Sequence, residues 1–197
     1  MVSLMRSTAL LIALAVLAGC GSQNAPQQPA AQTPEQPAFQ ASAKTLDSMT
    51  AAVLQRTGAL SGVGAALADL MAWAGKAGVA PEGPPFGLFA MPPTTPPDSN
   101  VYHVCLPVPA GTKPDGAAGI AIKPIGGIQL ASTVHTGPYE KISATYEQLK
   151  KWIEGQGMII SGPAFEFYLN NPQTTPPESL RTEIAFQVQQ PPKPPSQ

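Results

Sequence analysis

Between Tyr139 and Glu154 the positions Ile142, Thr145, Tyr146, Leu149, Trp152 and Ile153 recur at three- and four-residue spacing. That spacing gathers them on one stripe of a helix, with Glu147, Gln148, Lys150 and Lys151 on the opposite side. Gly155 and Gly157 follow and can end it, because glycine takes the left-handed cap conformation without a side-chain penalty. Before the helix, Gly127 to Thr136 is rich in Ile, Leu, Val and Thr and closes on Gly137-Pro138, the pattern of a strand running into a turn. After it, Pro163 to Asn170 and Leu180 to Gln189 read as two more strands, joined by an Asn-Pro-Gln-Thr-Thr-Pro-Pro loop.

Sliding the chain by 79 positions brings an earlier stretch into register with this one. Thr57-Gly58 falls on Thr136-Gly137, Leu70 on Leu149, Trp73 on Trp152, Gly78 on Gly157, Gly83-Pro84 on Gly162-Pro163, and Phe86 on Phe165. One inserted residue near Gln173 shifts the offset to 80, after which Thr94 to Pro97 matches Thr174 to Pro177 and Val108 matches Val188. The first copy then reads as a strand from about Met49 to Arg56, a helix from about Ser61 to Lys76, and strands near Pro85 to Met91 and Val101 to Pro109. Gly58, Gly62 and Gly64 cost about 1 kcal/mol each relative to alanine if helical, so the start of this helix is expected to be frayed or placed later than that of its counterpart. Ala110 to Gly127 is a glycine- and proline-rich connector, with Ile120 to Lys123 as a short extended piece.

The predicted fold is therefore α+β: duplicated β-α-β-β units, 49–109 and 128–188, related by a pseudo-twofold axis, forming an antiparallel sheet with the helices packed on one face. A ligand cleft is expected where the two units meet.

The ends of the chain differ in character from this domain, placed at 39–189. Arg6, an apolar run from Ala9 to Ala18, and Leu17-Ala18-Gly19-Cys20 form a signal peptide over 1–19, too short to cross a bilayer as a helix. The small residues before Cys20 resemble the lipobox of bacterial lipoproteins, which makes Cys20 the acylated residue and places the chain on an envelope membrane. Gly21 after the cysteine, where aspartate is absent, leans toward the outer membrane. Residues 20–38, dominated by Gln, Pro and Ala, bury too little to fold and read as a tether, and 190–197 as a disordered tail.

Net charge is -1 and no Lys/Arg cluster occurs, so nucleic acid is not an expected partner. With Cys20 acylated, Cys105 has no disulfide partner and is expected as a small buried apolar side chain. Two scattered histidines lack metal-ligand spacing, and no nucleotide or dinucleotide fingerprint appears, so no metal and no cofactor is expected. His135 is expected at the surface.

Val134-His135-Thr136-Gly137-Pro138-Tyr139, the helix with Leu149 and Trp152, Gly162-Pro163-Ala164-Phe165 and the strand from Arg181 to Val188 together resemble the GyrI-like domain, the effector-binding domain of AraC-type and multidrug-sensing activators. The resemblance covers about Met49 to Val188. It implies a duplicated strand-helix-strand-strand fold around an aromatic-lined cleft, with an acidic residue on the last strand that faces hydrophobic cations; Glu183 holds that place. It also implies that a glutamate and a tyrosine in the same cleft can serve hydrolysis. The chain has no helix-turn-helix segment, so only the ligand-binding part of the likeness carries over.

Glu183 stands where the first copy has His103, Tyr139 replaces Leu60, Tyr146 replaces Leu67, Glu166 replaces Gly87 and Tyr168 replaces Phe89. By strand alternation His103 and Glu183 point away from the helices and are expected to approach each other. Glu183 is the expected charge-recognition group, with Tyr139, Tyr146, Tyr168 and Trp152 as candidate walls, although the shared stripe position of Trp73 and Trp152 also suits a core. The function expected is binding of a small hydrophobic molecule, cationic where Glu183 is used. The alternatives are a hydrolase using Glu183 and Tyr139, or a structural lipoprotein without a ligand.

Overall fold

The computed structural model describes residues 39–90, 99–114 and 119–191. The expected signal peptide, Cys20 and the whole of the expected tether, with most of the expected tail, lie outside the described residues. Ten elements follow in order: β1 Ser42–Leu46, β2 Met49–Thr57, α1 Val63–Lys76, β3 Phe86–Phe89, β4 Val101–Pro107, β5 Ile120–Ile125, β6 Ile128–Thr136, α2 Ile142–Gly155, β7 Ile159–Tyr168 and β8 Arg181–Gln189.

Both helices begin alike. A short 3-10 turn, Leu60–Gly62 in one copy and Tyr139–Lys141 in the other, leads into each, and α1 starts 79 residues before α2 (142 − 63 = 79). The expected later start of α1 is therefore not found: the three glycines lie in or next to the 3-10 turn and the first helical turn, where tertiary packing outweighs their weak propensity. Past each helix, Gly78 and Gly157 take positive φ of 65° and 67°, the left-handed conformation that turns the chain toward the next strand.

The strands form one antiparallel sheet in the order β1-β6-β8-β7-β3-β4-β2-β5. β1 was not anticipated from the sequence, since Ser-Ala-Lys-Thr-Leu is short and largely exposed. It explains how the sheet is arranged. β1 pairs with β6 at one end and β2 with β5 at the other, yet only Asp47 and Ser48 separate β1 from β2. The pairs Leu46↔Ile128 and Met49↔Ile125 belong to one unbroken register, so β1-β2 and β5-β6 are two long bent strands that cross. Contact is tight there. Gly126 has φ of 120°, and a Cβ on it would collide with the carbonyl oxygen of Asp47, so only glycine fits. The sheet is thus curled, with an inner face and an outer face.

The pseudo-twofold axis can be located from the pairing. Gly87 pairs with Glu166, one repeat apart (166 − 87 = 79), and at the crossing Asp47 stands one repeat from Gly126 (126 − 47 = 79). The axis passes through both places. The outer face carries the helices: Leu70, Trp73 and Ala74 of α1 and Tyr146, Leu149 and Ile153 of α2 bury against Leu54, Val104, Leu106, Ile184, Phe186 and Val188. Burial of each such side chain stabilises the fold by about 1.5–3 kcal/mol. The inner face holds a second cluster around Phe86, Phe165, Phe167 and Cys105.

Candidate functional site

At the middle of the inner face the predicted cleft is filled. Phe86, Phe165 and Phe167 stack with ring centroids 5.1 to 6.2 Å apart, and Leu46, Met49, Ile125 and Ile128 from the two crossing strands pack on the same cluster. Pairing of β3 with β7 forces this. Phe86 stands opposite Phe167 and Leu88 opposite Phe165, so four large side chains from two adjacent strands crowd the axis on one face. Cys105 lies in the same packing, as expected of a small apolar residue, and burial pushes its thiol up to about 12. Space for a guest remains on either side of the plug.

The first opening is a cavity of about 360 Å³ whose lining includes Lys44, Met49, Glu82, Phe167, Leu169 and Glu183. β8 turns Glu183 inward because its neighbours Thr182 and Ile184 go to the helices, both fully buried. The Glu183 side chain keeps 18% exposure and binds Lys44, with Nζ to Oε1 at 2.5 Å. Lys44 Nζ also stands over the Phe167 ring, 5.8 Å from its centroid. Two carboxylates and one ammonium leave this opening with an excess negative charge.

The second opening, about 580 Å³, is lined by Leu88, Phe89, Val101, His103, Gly162 and Pro163 among others. It is the symmetry mate of the first. Leu88 stands for Phe167, His103 for Glu183, and Gly162-Pro163 for Gly83-Pro84. Lys123 stands for Lys44 (123 − 44 = 79) and is paired across the ladder with Ala51, whose side chain faces inward. Burial and the Lys123 charge together hold the His103 imidazole below its ordinary range, so it is a neutral ring beside a cation at pH 7.

His103 and Glu183 share the inner face, as strand alternation predicts, but they do not meet. Each guards its own opening, and the partner of Glu183 is Lys44. The reason is the position of β3 and β7 at the axis, which separates β4 from β8.

The tyrosines lie on the other face of the sheet. Tyr146 on α2 donates to Glu166 Oε1 at 2.9 Å and Tyr168 donates to Glu166 Oε2 at 3.1 Å. Tyr139 sets its edge against Tyr168, 6.1 Å between centroids. Successive strand residues alternate, so Glu166 and Tyr168 point to the helices while Phe165 and Phe167 point inward. Burial raises the Glu166 carboxyl above its ordinary range, against the lowering effect of the two phenol hydrogen bonds and of His135. Burial first, and the Glu166 charge second, raise all three phenols. Trp152 is half-buried and packs on the helix-side core. The expected site of Glu183 walled by Tyr139, Tyr146, Tyr168 and Trp152 is thus not assembled, and neither is the hydrolytic pair of Glu183 with Tyr139. The sheet stands between them.

His135 corrects another expectation. It is 7% exposed, and its ring nitrogens lie 2.8 Å from Thr145 Oγ1 and 3.2 Å from the Pro138 carbonyl oxygen, tying the β6 end to α2. Among the described residues no group of His, Cys, Asp and Glu is placed to hold a metal ion.

Lys44, Lys123 and Glu82 escaped the sequence reading. The two lysines are separated by the repeat offset, so extending the repeat upstream of Met49 would have found them. Glu82 has Ser161 as its counterpart and carries no comparable signal.

The family model of the GyrI-like small molecule binding domain matches residues 40–189. No curated protein matches the chain. Among solved structures, the C-terminal domain of EcmrR is 19% identical with a TM-score of 0.69, over 78% of this chain and 99% of that one. An uncharacterized conserved protein from Listeria innocua is 14% identical with a TM-score of 0.66, over 77% and 93%. A structure of SAV2435 bound to tetraphenylphosphonium is 15% identical with a TM-score of 0.50, over 77% and 94%. At these identities the likeness is one of fold.

Proposed function

Since the chain belongs to the GyrI-like small-molecule binding domain family, we propose that it binds a small hydrophobic cation at the opening lined by Glu82, Phe167 and Glu183. The observation that carries this is the Lys44–Glu183 pair: the opening already holds an ammonium group against a carboxylate and an aromatic face. A lipophilic cation offers the same charge with more apolar surface. It would replace Lys44, whose side chain is 42% exposed and can swing into water at little cost, since partly exposed ion pairs contribute only about 0.2–1 kcal/mol. A structural relative bound to tetraphenylphosphonium supports the ligand class.

Titration of the full chain with tetraphenylphosphonium by calorimetry tests it. Glu183→Gln should weaken binding by about tenfold, the scale of one charge-assisted contact. Lys44→Gln should strengthen it by roughly two- to fivefold, because no internal cation competes. Absence of binding, or equal affinity in Glu183→Gln and the parent, overturns the assignment.

We further infer that the domain works at the surface of an envelope membrane, held by acyl chains on Cys20. The signal pattern before Cys20 supports this, and each acyl methylene buried in lipid contributes about 0.8 kcal/mol. Cys20→Ser should move the protein from the membrane to the soluble fraction; continued membrane recovery of that variant would count against it.

A further inference from the structure

The duplication produces a second opening that none of the family-level expectations uses, and its chemistry is inverted. At the first opening two carboxylates face one lysine. At the second, His103 takes the place of Glu183 in the lining; by the repeat offset Ser161 answers to Glu82 and Lys123 to Lys44, and the Lys123 charge acts on the His103 ring. Lys44 has a carboxylate partner; Lys123 has no ion pair among the described residues. The walls remain apolar, with Leu88, Phe89, Val101 and Pro163 around about 580 Å³ of space.

We propose that this second opening binds a monoanion with an apolar body, such as a medium-chain carboxylate, its charge held by Lys123 and one oxygen accepting a hydrogen bond from the His103 ring. An apolar group gains by leaving water for the Leu88, Phe89 and Val101 surface. The carboxylate supplies what Glu183 supplies to Lys44, an oxygen pair for an ammonium that has no ion pair among the described residues. The neutral ring can donate from one nitrogen, so His103 assists without adding a second cation. This cavity is separate from the one lined by Glu82, Phe167 and Glu183.

Calorimetric titration of the full chain with decanoate, with methyl decanoate as the uncharged control and tetraphenylphosphonium as the probe of the other opening, tests this. Decanoate should bind at one site at least about tenfold more tightly than the ester. Lys123→Gln should lower decanoate affinity by about tenfold and leave tetraphenylphosphonium unchanged, while Glu183→Gln should do the reverse. His103→Glu gives a second variant. It should rebuild at Lys123 the pair seen at Lys44 and abolish decanoate binding. No decanoate binding, binding equal to that of the ester, or undiminished affinity in Lys123→Gln or His103→Glu overturns the proposal. Loss of the tetraphenylphosphonium signal alone overturns only the cation assignment.

Discussion

At equivalent places on the inner face, one copy carries Glu183 paired with Lys44 and the other His103 within the field of Lys123, while on the outer face one copy carries Tyr146, Tyr168 and Glu166 where the other has Leu67, Phe89 and Gly87. In the core the copies share apolar positions: Phe86 and Phe165, Leu70 and Leu149, Val104 and Ile184, all fully or nearly fully buried. A twofold fold needs matched packing at its axis and beneath both helices. Polar groups away from those contacts are free to differ, and here they differ in sign of charge on one face and in hydrogen bonding on the other.

The largest effects are expected at the shared core. Phe86→Ala and Phe165→Ala should each cost about 3–5 kcal/mol in urea unfolding, because each deletes a fully buried ring at the axis. Costs that differ by more than about 2 kcal/mol would show that the copies do not share the plug equally.

Next in size is the outer-face cluster of the second copy. Tyr146→Phe removes the donor to Glu166 Oε1 and leaves a partly buried carboxyl group with Tyr168 as its remaining hydrogen-bond donor, at a cost of about 1–3 kcal/mol. An unchanged unfolding midpoint would mean that the hydroxyl adds nothing beyond what Leu67 provides in the first copy.

The smallest effect is a pH dependence. The folded chain holds the Glu166 proton more tightly than the unfolded chain, because burial raises the carboxyl above its ordinary 4.5. Its contribution to stability is full below that range and is lost as pH rises through the raised value. Gln cannot ionise. The melting temperature of Glu166→Gln minus that of the parent should therefore increase from about pH 4 to neutrality; a flat difference would show that Glu166 titrates alike in both states.

Periodicity placed both helices within about three residues, and together with the 79-residue offset it placed the six repeat strands, β7 starting four residues earlier than expected and the others within about two residues of their observed bounds. These are local signals: a stripe at 3.6 residues or an alternation at 2 survives in one dimension. Charge, the buried thiol of Cys105 and the inward aim of Glu183 and His103 were legible in the same way, from composition and strand alternation. Which inward groups meet was not. Membership of one copy groups Tyr139, Tyr146 and Tyr168 with Glu183, yet sheet order and side-chain direction place them around Glu166 on the opposite face. Lys44 reaches Glu183 across 139 residues of sequence (183 − 44 = 139) through a strand of five residues that carries no strong pattern of its own. The phenylalanine plug and the paired openings likewise follow from β3 lying beside β7, a long-range pairing that fixes which side chains compete for the same volume. Local sequence sets the shape and facing of each element; occupancy of shared space depends on several elements at once, and only the assembled sheet decides it.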